Sequence, residues 1–291
     1  MEFELNAYGK VNLGLDVLRK REDGYHEVKM IMQTVKVFDR LTFSDIQEDK
    51  IELSSNLSFL PVNKDNLVYR ACDMIKKEYG ILSGVKIHLD KHIPVAAGMA
   101  GGSTDAAAAL VGMNKLFGLK ISQDKLMEYG VKLGADVPYC IMRGTALSEG
   151  IGEVLTKLPP MPRCYILIAK PPISVSTKMV YENLHADRLS YHPDIDGMID
   201  ALRAGSLKGI TDRMGNVLET VTVERYPIIE DIKRRMLDDG AMNALMSGSG
   251  PTVFGIYEDE EKARSTMKEL RYKKLAKQAF VVLPFNTDFN R

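Results

Sequence analysis

The chain has 291 residues, of which 45% are hydrophobic and 27% charged, and this composition is typical of a globular protein rather than a disordered one. Basic and acidic residues number 39 each, so the zero net charge gives no reason to expect a nucleic acid or an anionic membrane as a partner. The length exceeds that of most single cores and predicts two domains.

The cysteines and the apolar segments indicate a cytoplasmic protein. Three widely spaced cysteines, Cys72, Cys140 and Cys164, form no C-x-x-C pair, and an odd number does not make a disulfide framework. A reducing cytoplasm is therefore the expected compartment. Residues 1–6 lack the basic start and apolar run of a signal peptide. The weakly apolar stretch 94–113 contains an aspartate and several glycines, so we reject it as a membrane span.

The sequence pattern before the glycine-rich segment predicts several strands and one helix. Four stretches have the patterns of strands, namely 3–7, 11–17, 28–37 and 40–44. A charged turn that contains Asp-Gly, residues 21–26, separates the second stretch from the third. Apolar residues at helical spacing predict a helix over 67–79, and residues 85–89 alternate as in a half-buried strand.

A glycine-rich segment, residues 94–104, comes next, and two helices are predicted after it. The first is an alanine-rich helix over 104–117. The second is expected to be capped by Ser122 and to end near Leu133, where a glycine follows. The glycine-rich segment therefore lies at a junction between a strand and a helix.

The proline-rich stretch 158–162 is the clearest linker and divides the chain into predicted domains at 1–158 and 159–291. In the second domain, helices are predicted at 177–184, 195–204, 207–218, 228–238 and 259–270, and strands at 165–169, 244–246, 252–257 and 279–283. Because strands and helices mix without a regular βαβ order, the pattern favours an α+β fold over a doubly wound sheet.

The glycine-rich segment has the features of an anion-binding site. Gly98, Gly101 and Gly102 let the backbone approach a ligand closely and turn successive N–H groups toward it. The predicted helix begins directly after them, so its unpaired N–H groups and the positive end of its dipole face the same space. Ser103 and Thr104 add hydroxyl donors. The segment is therefore a candidate site for the phosphates of a nucleotide.

Two familiar phosphate-binding motifs and one structural role are alternatives for this segment. It is not a Walker A loop, because no Gly-Lys-Ser/Thr sequence ends it. Its order G-x-x-G-G also differs from the G-x-G-x-x-G of dinucleotide-binding folds, which follows a first strand. A tight turn that only packs a helix against a strand stays open on the residues alone.

Three motifs, at 7–13, 94–104 and 246–252, resemble those of the GHMP kinases, the family of galactokinase, homoserine kinase, mevalonate kinase and phosphomevalonate kinase. The middle motif has the pattern P-x-x-x-G-x-x-G-G-S-T at the start of an alanine-rich helix. The resemblance spans nearly the whole chain. It implies an N-terminal ATP-binding domain, a C-terminal ferredoxin-like domain and an active site in the cleft between them.

Further pieces are similar to those GHMP kinases whose acceptor alcohol carries a cytidine diphosphate group. They are K-V-N-L at 10–13, D-G-Y-H-E at 23–27 and L-G-A-D-V-P at 133–138. The similarity implies transfer of the γ-phosphate of ATP, with Mg²⁺, to the 2-hydroxyl of 4-diphosphocytidyl-2-C-methyl-D-erythritol, a step of the non-mevalonate isoprenoid pathway. Homoserine or a mevalonate-type alcohol is the alternative acceptor, and a regulator that binds a nucleotide without catalysis is the alternative from another class.

The resemblance also implies catalytic and nucleotide-binding residues. Asp136 would take the proton of the acceptor hydroxyl, and Lys10 would stabilise the developing alkoxide. On the residues alone, Asp136 can instead cap the turn before Pro138, and Lys10 can be a solvated strand residue. The ATP phosphates would lie against the segment formed by Pro94, Val95, Ala96, Ala97, Gly98, Met99, Ala100, Gly101, Gly102, Ser103 and Thr104.

Four residues are implied for the acceptor substrate. Tyr25 offers a ring on which the cytosine base can stack, and His26 offers groups for the edge of the base. Tyr181 would close the other side of the base, although a helix residue that packs on the core is equally compatible with its position. Asn12, next to Lys10, would hydrogen-bond the erythritol hydroxyls or the diphosphate.

Three smaller features complete the expectations. The 247–250 loop, S-G-S-G, is rich in N–H groups and lies either against the phosphates or in a simple hairpin. Asn66 and Lys91 are candidates for adenine contacts. His88 and His92 lie at the end of a predicted strand, where residues four apart are far from each other, so we predict no protein metal ligand there.

Overall fold

A computed structural model describes residues 2–286 as an α+β protein with two sheets. The strands of this part of the chain are β1 (Glu2–Lys20), β2 (His26–Ile46), β3 (Ile51–Ser55), β4 (Gly84–Asp90), β5 (Thr145–Glu149), β6 (Val154–Lys157), β7 (Tyr165–Lys170), β8 (Gly215–Asn216), β9 (Asn243–Met246), β10 (Val253–Tyr257) and β11 (Gln278–Val282). The helices are α1 (Leu67–Tyr79), α2 (Gly101–Leu116), α3 (Gln123–Val131), α4 (Val137–Met142), α5 (Thr177–Asn183), α6 (Ile195–Arg203), α7 (Leu207–Thr211), α8 (Glu219–Arg225), α9 (Ile228–Asp238) and α10 (Glu260–Tyr272).

The larger sheet has the order β3-β4-β2-β1-β8, with β5 pairing with β2 and β6 with β5. Strands β1 and β2 pair antiparallel along nearly their whole length, from Glu2 opposite Ser44 to Lys20 opposite His26. The sequence predicted two short strands in place of each, which is wrong. Register irregularities, such as the one between Tyr8 and Lys10, break the alternation of side chains without ending the strand.

Helix α2 packs against β1 and β2, and small residues make this close approach possible. Its run of four alanines is fully buried. At Gly112, a Cβ atom would clash with the ring of Phe43 on β2, so glycine is required where helix and sheet touch. The helix starts at Gly101, earlier than the predicted residue 104, so Gly101 and Gly102 belong to its first turn. Helices α1, α3 and α4 pack beside it.

The smaller sheet is antiparallel, with the order β11-β7-β10-β9. Numbered within this sheet, the order is 4-1-3-2, and helices connect its first strand to its second and its third to its fourth. This is the ferredoxin-like arrangement that the sequence led us to expect. Strand β10 is buried along its whole length, and helices α9 and α10 pack on it.

One predicted helix is wrong in a way that matters for the site. The sequence predicted a helix over 207–218, but α7 ends at Thr211 and the two-residue strand β8 follows. Strand β8 pairs parallel with β1, with Gly215 opposite Gly14 and Asn216 opposite Leu15. A Cβ atom at Gly215 would clash with Tyr191, so glycine suits the place where β8 pairs with β1. The sequence also missed β3, β5, β6, α4 and α8.

The predicted domain boundary between 158 and 159 stays a proposal. It lies between β6 of the larger sheet and β7 of the smaller one, but β8 returns to the larger sheet. The ends of the two proposed domains, Met1 and residues 287–291, lie outside the described residues. Between residues 2 and 286, no helix is both long and apolar enough to cross a membrane.

Candidate active site

One cavity of about 1010 Å³ collects residues from both halves of the chain. Strand β1, the turn before β2, the glycine-rich segment, the residues before α4, helix α5 and the 247–250 loop all contribute to its walls. The predicted site residues that line it are Lys10, Asn12, Tyr25, His26, Pro94, Val95, Ala96, Ala97, Gly98, Ala100, Gly101, Gly102, Ser103, Asp136 and Tyr181. Residues that are far apart in the sequence therefore meet around a single space.

The glycine-rich segment reaches α2 through three residues with left-handed backbone. These are Ala96 (φ 50°), Gly98 (φ 70°) and Ala100 (φ 56°). Because of this path the helix begins with its first turn open to the cavity, where Gly101 and Gly102 lie. The N–H groups of a first helical turn have no acceptor within the helix, and the positive end of the dipole lies there as well. The segment is thus arranged to bind an anion.

Two residues of the glycine-rich segment face the core instead of the cavity formed by the described residues. Met99 is buried, and its carbonyl accepts a bond from the N–H of Lys10 (3.2 Å). Thr104 is fully buried, and its hydroxyl lies beside the Cys140 thiol, whose pKa burial raises. We therefore correct the expectation that all residues from Pro94 to Thr104 face the nucleotide. The hydroxyl at the cavity wall comes from Ser103, and Met99 and Thr104 contribute only through their backbone.

Lys10 and Asp136 lie together at one wall of the cavity. The Lys10 ammonium is 3.6 Å from the Asp136 carboxylate and donates to the Asn12 side-chain oxygen at 2.7 Å. Lys10 is buried, so it is not a solvated strand residue. Asp136 occupies the position before α4, but it makes no capping hydrogen bond with any described residue. Neither structural alternative for these two residues therefore holds.

The electrostatics of this wall suit proton transfer from a substrate hydroxyl. A carboxylate beside a cavity can accept a proton when it lies within hydrogen-bond reach of a hydroxyl group. The buried ammonium next to Asp136 can stabilise negative charge that develops on the substrate oxygen, and it acts more strongly there than in water. Asn12 holds that ammonium in place through its side-chain oxygen.

Three rings line the cavity near the turn before β2. Tyr25 is 61% exposed, so its face is available for stacking. His26 is buried and its ring centre is 5.2 Å from that of Tyr181, with the planes tilted by 41°. Burial, together with nearby Lys20, lowers the pKa of His26, so its imidazole is neutral at neutral pH. Tyr181 both packs on His26 and lines the cavity, so a packing role and a role in binding the base are compatible.

The 247–250 loop is more than a hairpin connection, because it rests on the glycine-rich segment. The Ser247 hydroxyl donates to the Gly98 carbonyl (2.9 Å), and a Cβ atom at Gly98 would clash with the Ser247 carbonyl. Gly248 and Ser249 line the cavity. The Ser249 hydroxyl is 2.8 Å from that of Thr177 at the start of α5. The sequence offered no signal for Thr177, which joins the loop to the wall.

Asn66 and Lys91 border the cavity, but their side chains are already engaged. Asn66 caps α1, accepting from the Val68 N–H (2.9 Å), and its amide donates to the Pro61 carbonyl (2.8 Å). The Lys91 ammonium pairs with Asp39 and, at 2.7 Å, with Asp105. These bonds hold both side chains at the cavity border, and their contact with adenine stays a prediction.

The Lys91 cluster holds two carboxylates around one ammonium beneath the start of α2. Burial opposes the charge on Lys91, but Asp105 and Asp39 outweigh it and raise the pKa of the ammonium. Burial also raises the pKa of Asp105 well above its usual range, although Lys91 acts in the opposite direction. Asp39 in addition accepts from the N–H groups of His92 (2.6 Å) and Ile93 (2.8 Å). The cluster thus ties β2, β4 and α2 together behind the cavity.

Comparison with known proteins identifies the family of this chain. Residues 66–144 match the N-terminal domain of the GHMP kinases and residues 198–274 their C-terminal domain. The chain is 54% identical to a protein of Lachnospira eligens over 97% of this chain and 98% of that one, and 51% identical to one of Enterococcus faecalis over 93% and 95%. Both are named 4-diphosphocytidyl-2-C-methyl-D-erythritol kinase.

A crystal structure of 4-(cytidine 5'-diphospho)-2C-methyl-D-erythritol kinase superposes with a TM-score of 0.84 and 30% identity, covering 98% of this chain and 100% of the other. The N-terminal match contains the glycine-rich segment and Asp136, and the C-terminal match contains the 247–250 loop, whereas β1, the turn before β2 and α5 lie outside both matched ranges. This chain belongs to the GHMP kinases and, among them, to the family of the 4-diphosphocytidyl-2-C-methyl-D-erythritol kinases.

Proposed function

We propose that the chain transfers the γ-phosphate of ATP to the 2-hydroxyl of 4-diphosphocytidyl-2-C-methyl-D-erythritol, as a step of the non-mevalonate isoprenoid pathway. The observation that carries the proposal is the Lys10–Asp136 pair, which lies in the same cavity as the open first turn of α2. A phosphate donor and a hydroxyl acceptor can meet there. The names of the relatives support the choice of acceptor.

In this mechanism Asp136 accepts the proton of the acceptor hydroxyl as the oxygen attacks the γ-phosphorus. The bond between that phosphorus and the bridging oxygen breaks, and ADP leaves. Lys10 stabilises the charge on the attacking oxygen, and the N–H groups of Gly101 and Gly102 bind phosphate oxygens. Such positioning and charge stabilisation supply most of the catalysis in phosphoryl transfer.

The two ends of the cavity suit the two bases of the reactants. At the end formed by the turn before β2, Tyr25 can stack on cytosine, and the neutral His26 can hydrogen-bond its edge. At the end near the start of α1, Leu60, Pro61 and Leu67 form an apolar wall that suits adenine. The cavity wall thus offers a separate surface for each base.

Mg²⁺ fits this arrangement as an ion that arrives with ATP. Magnesium prefers oxygen ligands and is usually held by substrate phosphates with one or two carboxylates. Ser103 and Asp136 place oxygen atoms on the cavity wall beside the proposed phosphate position. When bound, the ion would neutralise part of the phosphate charge.

We also propose that the reaction takes place in the cytoplasm. Cys72, Cys140 and Cys164 are all free and buried, as expected for thiols in a reducing compartment.

The test is an ATP-consumption assay in which the cytidyl alcohol, homoserine and mevalonate are compared as acceptors under the same conditions. We expect turnover with the cytidyl alcohol and none above background with the other two. A preference for homoserine or mevalonate would contradict the substrate assignment but leave the family membership intact. ATP binding without turnover of any acceptor would instead identify a regulator that has lost catalysis.

A further inference from the structure

Asn216 lies where the second half of the chain crosses to the first. It is a residue of β8, opposite Leu15 of β1, and it is buried. Strand β1 is also the strand that carries Lys10 and Asn12. Asn216 is not among the residues that line the cavity formed by the described part of the chain. It therefore lies outside the cavity, on a strand that pairs with the one that carries Lys10 and Asn12.

The side-chain amide of Asn216 is fully engaged with backbone groups. Its nitrogen donates to two carbonyls, those of Met246 and Gly248, both at 2.8 Å. Its oxygen accepts from the N–H of Leu218 at 3.0 Å. A primary amide supplies two donors on one atom and an acceptor on the other, so no other side chain of this size meets the three demands.

The two carbonyls that Asn216 holds belong to the chain around Ser247. Gly248 has a left-handed backbone (φ 56°), and the Asn216 amide donates to its carbonyl in this conformation. The Ser247 hydroxyl donates to the carbonyl of Gly98, and a Cβ atom at Gly248 would lie 3.3 Å from the same oxygen. The conformation that Asn216 imposes is thus the one that rests on the glycine-rich segment.

A second side chain acts on the same strand end. Glu219, at the start of α8, accepts from the N–H of Met246 at 2.7 Å and pairs with Lys233 at the same distance. Asn216 and Glu219 therefore hold the carbonyl and the N–H of one residue. The 247–250 loop starts directly after that residue, so its position depends on β8 and the beginning of α8.

We propose that Asn216 is a positioning residue for phosphoryl transfer: by holding Met246 and Gly248 it keeps the 247–250 loop against Gly98, and thereby keeps the glycine-rich segment in the conformation that binds ATP. The proposal rests on the proposed function only in taking the glycine-rich segment as the phosphate site. It predicts that loss of the Asn216 donors weakens ATP binding without removing any group that contacts the nucleotide.

The test uses Asn216→Asp, with Asn243→Asp as the matched control. Aspartate keeps the bond to Leu218 but places a carboxylate oxygen against two carbonyls. Asn243 also donates its amide to a buried carbonyl, that of Thr211 (2.6 Å), but it is the first residue of β9, at the end of the strand opposite the loop. Because the two carbonyls lose their donors and face a carboxylate oxygen instead, we expect the KM for ATP to rise roughly tenfold or more in Asn216→Asp.

In Asn243→Asp we expect the KM for ATP to stay within about twofold of the unchanged chain, even if the melting temperature falls in both variants. Equal changes in KM in the two variants, or an unchanged KM in Asn216→Asp, would overturn the proposal. If Asn216→Asp does not fold, Asn216→Ala, which removes the donors without adding repulsion, is judged by the same criterion. The assay uses whichever acceptor the unchanged chain phosphorylates, so a wrong substrate assignment does not affect the result.

Discussion

At the scale of single residues, the site depends on a buried ammonium. Lys10 is nearly inaccessible to solvent, and an unpaired charge in such a place would cost several kcal/mol. Its neighbours are the Asn12 oxygen at 2.7 Å and the Asp136 carboxylate at 3.6 Å. The shorter contact is with the amide, so the carboxylate stays available to another hydrogen-bond partner on the cavity side.

We expect Asp136→Asn to keep ATP binding and to lower turnover by roughly 10²–10⁴, the usual contribution of a positioned general base. The amide has the same shape as the carboxylate but does not take up the proton. Calorimetry with ATP and a coupled assay of kcat check the two parts. Asp196→Asn is the control, because that exposed carboxylate also pairs with a strand lysine, Lys29, outside the cavity. Near-normal turnover in Asp136→Asn would remove this residue from the mechanism.

A second prediction concerns Asp105, whose pKa burial raises well above the usual 3.8 and whose Oδ1 atom has no hydrogen-bond partner among the described residues. Because the folded pKa exceeds the unfolded one, folding takes up a proton at pH values between the two. The contribution of Asp105 to stability therefore falls as the pH rises from the unfolded pKa to the folded one, and is constant above that.

We expect the free energy of unfolding to depend less on pH in Asp105→Asn than in the unchanged chain. The stability of the variant relative to the unchanged chain should therefore rise as the pH increases from the unfolded pKa of Asp105 to its folded pKa. Urea titrations from acid to neutral pH measure this difference. Asp73→Asn, which changes an exposed carboxylate paired with Lys77, provides the control and should follow the unchanged chain. Parallel curves for Asp105→Asn and the unchanged chain would show that the carboxyl does not titrate in this way.

At the scale of elements, the start of α2 depends on a backbone that glycine permits. Gly98 has φ of 70° and lies directly under the 247–250 loop, where a Cβ atom would clash with the Ser247 carbonyl. Gly118, at the other end of the same helix, has φ of 60°, but a Cβ atom there would meet none of the described residues within 4 Å. A substitution at Gly118 therefore tests backbone strain alone, whereas one at Gly98 tests strain together with a clash against the loop.

We expect Gly98→Ala to raise the KM for ATP at least roughly tenfold, because overpacking costs about 1–3 kcal/mol and displaces the segment that binds phosphate. Gly118→Ala carries only the penalty of the left-handed conformation, about 1–2 kcal/mol, so it should lower the melting temperature and leave that KM unchanged. Steady-state kinetics and thermal unfolding of both variants test this. An unchanged KM in Gly98→Ala would rule out this turn as the phosphate site.

At the scale of the whole molecule, the two sheets do not form separate cores. One hydrophobic cluster contains Leu15 of the larger sheet together with Leu167 and Met246 of the smaller one. The end of the described chain also returns to the larger sheet, since the ring of Phe285 stacks on that of Tyr8 with centres 4.1 Å apart. The cavity lies between parts that stabilise each other.

We therefore expect a fragment of residues 1–158 not to unfold cooperatively, because it lacks β8 and the apolar partners from the smaller sheet. Urea denaturation of the fragment, followed by circular dichroism, should show a broad and shallow change. The full chain, measured in parallel, should show a steep transition. A steep transition in the fragment would instead establish 1–158 as a domain that folds alone.

The local part of the fold was predictable from the sequence because the signals are local. Helices α1 and α9 have the predicted bounds, since their apolar residues recur at helical spacing and, for α1, Gly80 ends the helix in a left-handed conformation. Ser122 caps α3 as expected, accepting from the N–H of Lys125. Short strands such as β5 and β6 were missed, because a few residues in a sheet carry too little periodicity to be recognised.

The sequence by itself determined the family, because three motifs in a fixed order carry the chemistry of phosphate binding. Only the tertiary structure decided which residues of those motifs face the cavity: Met99 and Thr104 are buried in the core, whereas Ser103 lines the cavity. It also decided that β8 crosses between the halves and that Asn216 holds the 247–250 loop. These contacts join residues that are distant in the chain, and no local pattern of side chains encodes such pairings.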